Sequence, residues 1–190
     1  MSVVAIPGWN SQGLLPPVDV NSQPMSEARS PYPVSLKDVV TRFATSQERN
    51  RILDGLLSYR AALHALGLVE GFQWLDGSFT EDVETLQQRA PNDIDVVSFV
   101  RTPKGFCPDP AAIRALSSPA SKASFKVDAF FVEMNLPPDQ LAAWSVYWYS
   151  LWAHRRNHVW KGFLQVDLAP VEDAAALACL NQNCSTGVGP

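Results

Sequence analysis

Residues 72–97 read FQWLDGSFTEDVETLQQRAPNDIDVV. Asn92-Asp93-Ile94-Asp95-Val96-Val97 has the pattern of a strand opening on two carboxylates. Side chains alternate along a strand, so Asp93 and Asp95 point to the same face. Two like charges there repel, and a divalent metal would reward the arrangement. Upstream, Phe72–Leu75 reads as a second strand that runs into Asp76-Gly77-Ser78. Gly77 permits a tight turn and close backbone approach. Ser78 then opens a short helical stretch, where backbone N–H groups and a hydroxyl can hold a phosphate.

The chain has 190 residues, enough for one domain with a full core. It is 46% hydrophobic and 18% charged, which does not describe a disordered chain. A net charge of −4 argues against broad electrostatic attachment to nucleic acid. Cys107, Cys179 and Cys184 lack metal-ligand spacing and read as free thiols in a reducing compartment. No signal peptide and no membrane-spanning run is visible, so the expected location is cytoplasmic.

Residues 1–34 are rich in proline and read as an extended arm. Val3, Val4, Ile6, Trp9, Leu14 and Leu15 suit packing on the body, while residues 17–30 also fit a partly ordered tail. The main domain is expected over 35–180. Ser35 caps a helix over 36–44, and Thr45 with Glu48 offers a capping box for the next. That helix carries Ile52, Leu56, Tyr59, Leu63 and Leu66 as one buried stripe and ends at Gly67. His64 beside the stripe reads as structural or exposed rather than catalytic. Asp109 and Pro110 start a helix over about 110–117, and SSPASKAS (117–124) reads as a loop.

Phe125–Val132 reads as a buried strand with one acid, Asp128, inside it. An aspartate there is costly unless paired or metal-bound, so Asp128 is a third candidate ligand; a bond to a loop amide or an arginine is the structural alternative. Pro137 and Pro138 open a helix with Leu141, Trp144, Trp148, Leu151 and Trp152 at helical steps. So much aromatic surface implies core, or an interface with a partner protein or a second copy. The cations of His154-Arg155-Arg156-Asn157-His158, with Lys161, suit either a phosphate site or a solvated helix end. A strand over 163–168, a helix over 170–180 and a loose tail over 181–190 complete the chain.

Strand, Gly-Ser turn, short helix, then a strand with Asp-x-Asp: this order resembles the nucleotidyltransferase superfamily, the polymerase-beta-like fold. WLDGSF, PNDIDVV, KVDAFFVEM, YWYSLWAHRR and KGFLQVDL together resemble a family of small bacterial nucleotidyltransferase-like proteins. The resemblance implies an α+β fold, a nucleotidyltransferase-like mixed β-sheet with flanking helices. It implies Mg²⁺ or Mn²⁺ on Asp93, Asp95 and Asp128, also the catalytic residues. An NTP would be held by Gly77 and Ser78, with Arg155, Arg156 and Lys161 offsetting phosphate charge. A nucleotide would pass to a protein, an RNA end or a small molecule; toxin–antitoxin or phage-defence systems are settings the likeness suggests. Two departures stand out. Position 82 is Asp where the superfamily has a second glycine, and Glu81, Asp82 and Glu84 would repel a triphosphate. Two other readings remain open: a catalytically weak binding or antitoxin protein of the same fold, and a plain ligand-binding domain with structural acids.

Overall fold

The computed structural model describes residues 3–19, 22–23 and 25–186. Among them, β1 (Tyr32–Pro33), β2 (Gly71–Asp76), β3 (Ile94–Val100), β4 (Val127–Glu133) and β5 (Leu164–Asp167) form one mixed sheet, ordered β1-β5-β2-β3-β4. β2 runs antiparallel to β3 and β5, whereas β3 and β4 are parallel, as are β1 and β5. The helices are α1 (Leu36–Phe43), α2 (Gln47–Ala65), α3 (Val83–Gln87), α4 (Pro110–Ala115), α5 (Ala120–Phe125), α6 (Pro138–Trp152) and α7 (Asp173–Thr186). The fold is thus α+β, a five-stranded mixed sheet with flanking helices.

Alternation along β3 explains its run of apolar residues. Ile94, Val96 and Val100 enter a large core with Val39, Phe43, Ile52, Leu56, Leu63 and Leu180 of α1, α2 and α7. Val97 and Phe99 point the other way, into an aromatic cluster with Trp74, Phe163, Trp148 and Trp152. A strand covered on both faces has no polar side to show in the sequence. α6 covers part of the aromatic face. Trp148 and Trp152 are buried, but Trp144, Val146, Tyr147, Tyr149 and Leu151 are exposed.

The arm is more structured than its proline content suggests. Trp9 Nε1 donates to Thr80 O at 2.8 Å, and Leu14 and Leu15 are buried. Tyr32–Pro33 becomes an edge strand, where a missing proline N–H is tolerated. Residues 17–30 do not form a loose tail where they are described: Val18 and Arg29 form a β-bridge, and Phe163 N donates to Ser30 Oγ at 2.9 Å.

Three further expectations are corrected. Ser46, not Thr45, caps α2, because Ser46 Oγ also donates to Glu84 at 2.6 Å and is held in place; Glu48 pairs with Arg51 instead. SSPASKAS is not a loop but supplies most of α5. Packing against α2 overrides its weak propensity: at Gly55 a Cβ would lie 1.9 Å from Phe125 O, so only glycine allows the contact. The C-terminal helix runs on to Thr186, past the expected end at residue 180. Residues 187–190 of the expected tail lie outside the described chain.

His64 is partly buried, with Nε2 2.8 Å from Leu168 O. Cys107 and Cys179 are free thiols, and the Cys184 side chain lies outside what is described. Among the described residues no helix is long and apolar enough to cross a membrane.

One buried residue ties α2 to the C-terminal segment. Arg60 pairs with Asp173 at 2.7 Å and donates to Gln73 Oε1 at 2.8 Å and to the carbonyl of Asp167 at 3.0 Å. Arg60→Ala leaves the half-buried Asp173 and the buried Gln73 amide oxygen without that partner, and the expected loss is about 3–5 kcal/mol of stability by urea unfolding. A loss below about 1 kcal/mol would show that Arg60 does not clamp these elements.

Candidate functional site

Strand register assembles the acids. Asp95 in β3 sits opposite Asp76 across the antiparallel pair and opposite Asp128 across the parallel one. Partners in register share a face, so the three carboxylates form a row at one end of the aromatic face. Asp93 lies two residues before Asp95, on the same side. The structure therefore brings together Asp93, Asp95 and Asp128 and adds Asp76, the last residue of β2. Its signal was present: it continues the Phe72–Leu75 alternation by one residue.

The row is electrostatically loaded. Burial, then Asp76, Asp93 and Asp128, push the Asp95 carboxyl up to about 7, against the pull of Lys161. Asp76 is also pushed up, by burial first, although Lys161 Nζ lies 2.8 Å away and the Gly77 backbone bonds to it. Burial works to lower the Lys161 pKa, but Asp76 and Glu81 outweigh it and the result is a rise. At the far end Lys122, from α5, bridges Asp93 at 2.6 Å and Asp128 at 3.2 Å. Asp128 Oδ1 is buried without a hydrogen-bond partner.

The Gly-Ser turn is held against this row. Gly77 has φ +87°, and a Cβ there would lie 2.3 Å from Asp95 Oδ2. Only glycine meets both demands. Ser78 opens a single turn of 3-10 helix, Ser78–Thr80. Arg49, fully buried in α2, fixes that turn: Nη1 donates to Phe79 O at 2.6 Å, Nη2 to Glu81 O at 2.7 Å, and Nε to Glu84 at 2.6 Å. Periodicity could not single out Arg49 or Arg60, since an arginine inside an apolar stripe breaks the pattern by which a stripe is read.

Gly77, Ser78, Asp95, Arg155, Arg156 and Lys161 line one cleft of about 540 Å³. The basic cluster is therefore beside the acids, but most of its charge is committed. Lys161 is buried between Asp76 and Glu81, at 2.8 and 3.2 Å. Arg155 Nε donates to Glu81 at 3.0 Å, while Arg156 is exposed. The acids expected to repel a triphosphate are likewise occupied. Glu81 has these two cations, Glu84 has Arg49 and Ser46, and Asp82 accepts from Thr85 N at the start of α3.

All donors in the row are carboxylate oxygens, the chemistry a hard divalent cation takes. Among the described residues, however, no three His, Cys, Asp or Glu side chains converge as a ready metal cage. The Lys122 ammonium stands between Asp93 and Asp128. The unbonded Asp128 Oδ1 shows that this ammonium does not saturate the pair.

Residues 7–167 match a family of unknown function, DUF6932, and the chain belongs to that family. The match takes in the arm from Pro7, the acidic row, the Gly-Ser turn and α6. No curated protein and no solved structure matches the chain.

The Asp95 environment makes stability depend on pH. A carboxyl whose folded pKa exceeds its unfolded value holds its proton more tightly when folded. Its contribution is full below about pH 4 and is lost as pH rises through about 7. Asp95→Asn should therefore melt several degrees above the parent at pH 8 and close to it at pH 4, by scanning calorimetry. A difference that stays constant with pH would contradict the assigned environment.

Proposed function

We propose that this protein is a metal-dependent nucleotidyltransferase that moves a nucleotide from an NTP to an acceptor hydroxyl on a protein, an RNA end or a small molecule. The observation that carries the reading is the register that sets Asp95 beside Asp128, with Asp93 on the same face and the Gly77-Ser78 turn packed against Asp95. The resemblance to the nucleotidyltransferase superfamily supports the same reading.

Asp93, Asp95 and Asp128 would hold Mg²⁺ or Mn²⁺. Bound metal would supply charge for the phosphates and lower the pKa of the attacking hydroxyl. Asp128 would accept the proton of that hydroxyl. The Ser78 hydroxyl and the backbone after Gly77 hold the outer phosphates, and Arg49 keeps this turn from moving. Arg156, exposed at the cleft, offsets charge on the departing pyrophosphate. Lys161 and Arg155 act through Glu81, which they hold in place, unless a phosphate draws them away.

A second reading is a catalytically weak protein of this fold that works by binding a partner. The pairing of Lys161 and Arg155 with acids favours it, as does the exposed aromatic side of α6. A labelling assay with each of the four radiolabelled NTPs, Mg²⁺ or Mn²⁺, and protein, RNA or small-molecule acceptors separates the two. The enzyme reading expects metal-dependent transfer that falls to background in Asp95→Ala. Metal or nucleotide binding with no transfer to any acceptor supports the second reading instead.

A further inference from the structure

We propose that Lys122 is a built-in counter-ion for the acidic row, and that a divalent cation enters only as its ammonium swings out. The inference rests on the metal reading above and concerns how that site is regulated. Lys122 Nζ lies 2.6 Å from Asp93 Oδ2 and 3.2 Å from Asp128 Oδ2, so it stands between two of the proposed ligands. Asp93 is about nine-tenths buried, and its Oδ2 meets the ammonium without good hydrogen-bond geometry. Asp128 Oδ1 has no hydrogen-bond partner at all. The acids are thus neutralised but not satisfied. One ammonium offsets a single charge, whereas a divalent ion offsets two and takes six or more oxygens.

The lysine is built to leave. Its side chain is 47% exposed, against 12% for Asp93 and 20% for Asp128. It reaches the acids from the short helix α5, which lies outside the sheet. A four-carbon stem in water can rotate away without disturbing the core. Lys161 makes the contrast. It serves the same row, but its side chain is only 7% exposed and is bonded to both Asp76 and Glu81. Lys161 is a fixed part of the structure, and Lys122 is an exchangeable one. Metal binding then has to break the Lys122 contacts, and apparent affinity is lowered by what they contribute.

Calorimetric titration of the full chain with MnCl₂ tests this, with no dependence on turnover. Lys122→Met keeps the apolar stem and removes the charge. It should bind Mn²⁺ roughly ten- to a hundredfold more tightly than the parent, the range a charge-assisted contact represents. Without metal it should melt at a lower temperature, and saturating Mn²⁺ should raise that temperature by more than it does in the parent. Lys122→Arg keeps the charge and should gain no affinity. If Lys122→Met does not fold, Lys122→Gln carries the same expectation. Mn²⁺ binding that is equal or weaker in the neutral variant overturns the role of Lys122 and leaves the metal site standing. So does an equal gain in Lys122→Arg. No Mn²⁺ binding by the parent or by either neutral variant overturns both.

Discussion

Crowding of like charge at one end of a sheet is the constraint around which this molecule is arranged. Strand register places Asp76, Asp95 and Asp128 side by side, and Asp93 adds a fourth carboxyl. Such a row in a partly buried position is unfavourable unless cations or protons offset it. The protein uses both. Lys161 is buried against Asp76, Lys122 bridges Asp93 and Asp128, and the Asp95 carboxyl is pushed up to about 7.

The scaffold keeps this end open while burying the rest. α1, α2 and α7 fill one face of the sheet, and α6 covers part of the other with Trp148 and Trp152. Two buried arginines on α2 divide the structural work. Arg60 secures the C-terminal segment through Asp173, and Arg49 secures the Gly-Ser turn through the carbonyls of Phe79 and Glu81. The second clamp would matter for the proposed function, because a turn that is to hold a phosphate is only as useful as it is rigid. The arm contributes as well, since Trp9 bonds the same turn at Thr80.

Much of this was legible in the sequence, and the gaps have physical causes. Asp93, Asp95 and Asp128 could be found because acids inside apolar strand patterns stand out against strand alternation. The flanking Gly77-Ser78 turn and the Trp helix were likewise visible. Asp76 was missed because β2 runs one residue further than its apolar pattern. Lys122 was missed because Ser and Pro around it suggest a loop, whereas contact with Gly55 on α2 makes it helical. The sequence leaves open whether the Arg155 and Lys161 cluster serves a phosphate or ends a helix, and its pairing with Glu81 is a tertiary fact that local charge patterns do not contain. That pairing at Glu81, and the contacts of Glu84 with Arg49 and Ser46, explain how these acids coexist with the proposed phosphate turn.

The most direct test of the account is anomalous diffraction from crystals of the full chain grown with MnCl₂, recorded at the manganese edge. The account predicts a strong peak within about 2.0–2.4 Å of carboxylate oxygens of Asp93, Asp95 and Asp128, with Lys122 turned away from them. A row that stays free of manganese at millimolar concentration, with Lys122 still bridging Asp93 and Asp128, would contradict it. The acids would then be a structural charge network and not a catalytic metal site.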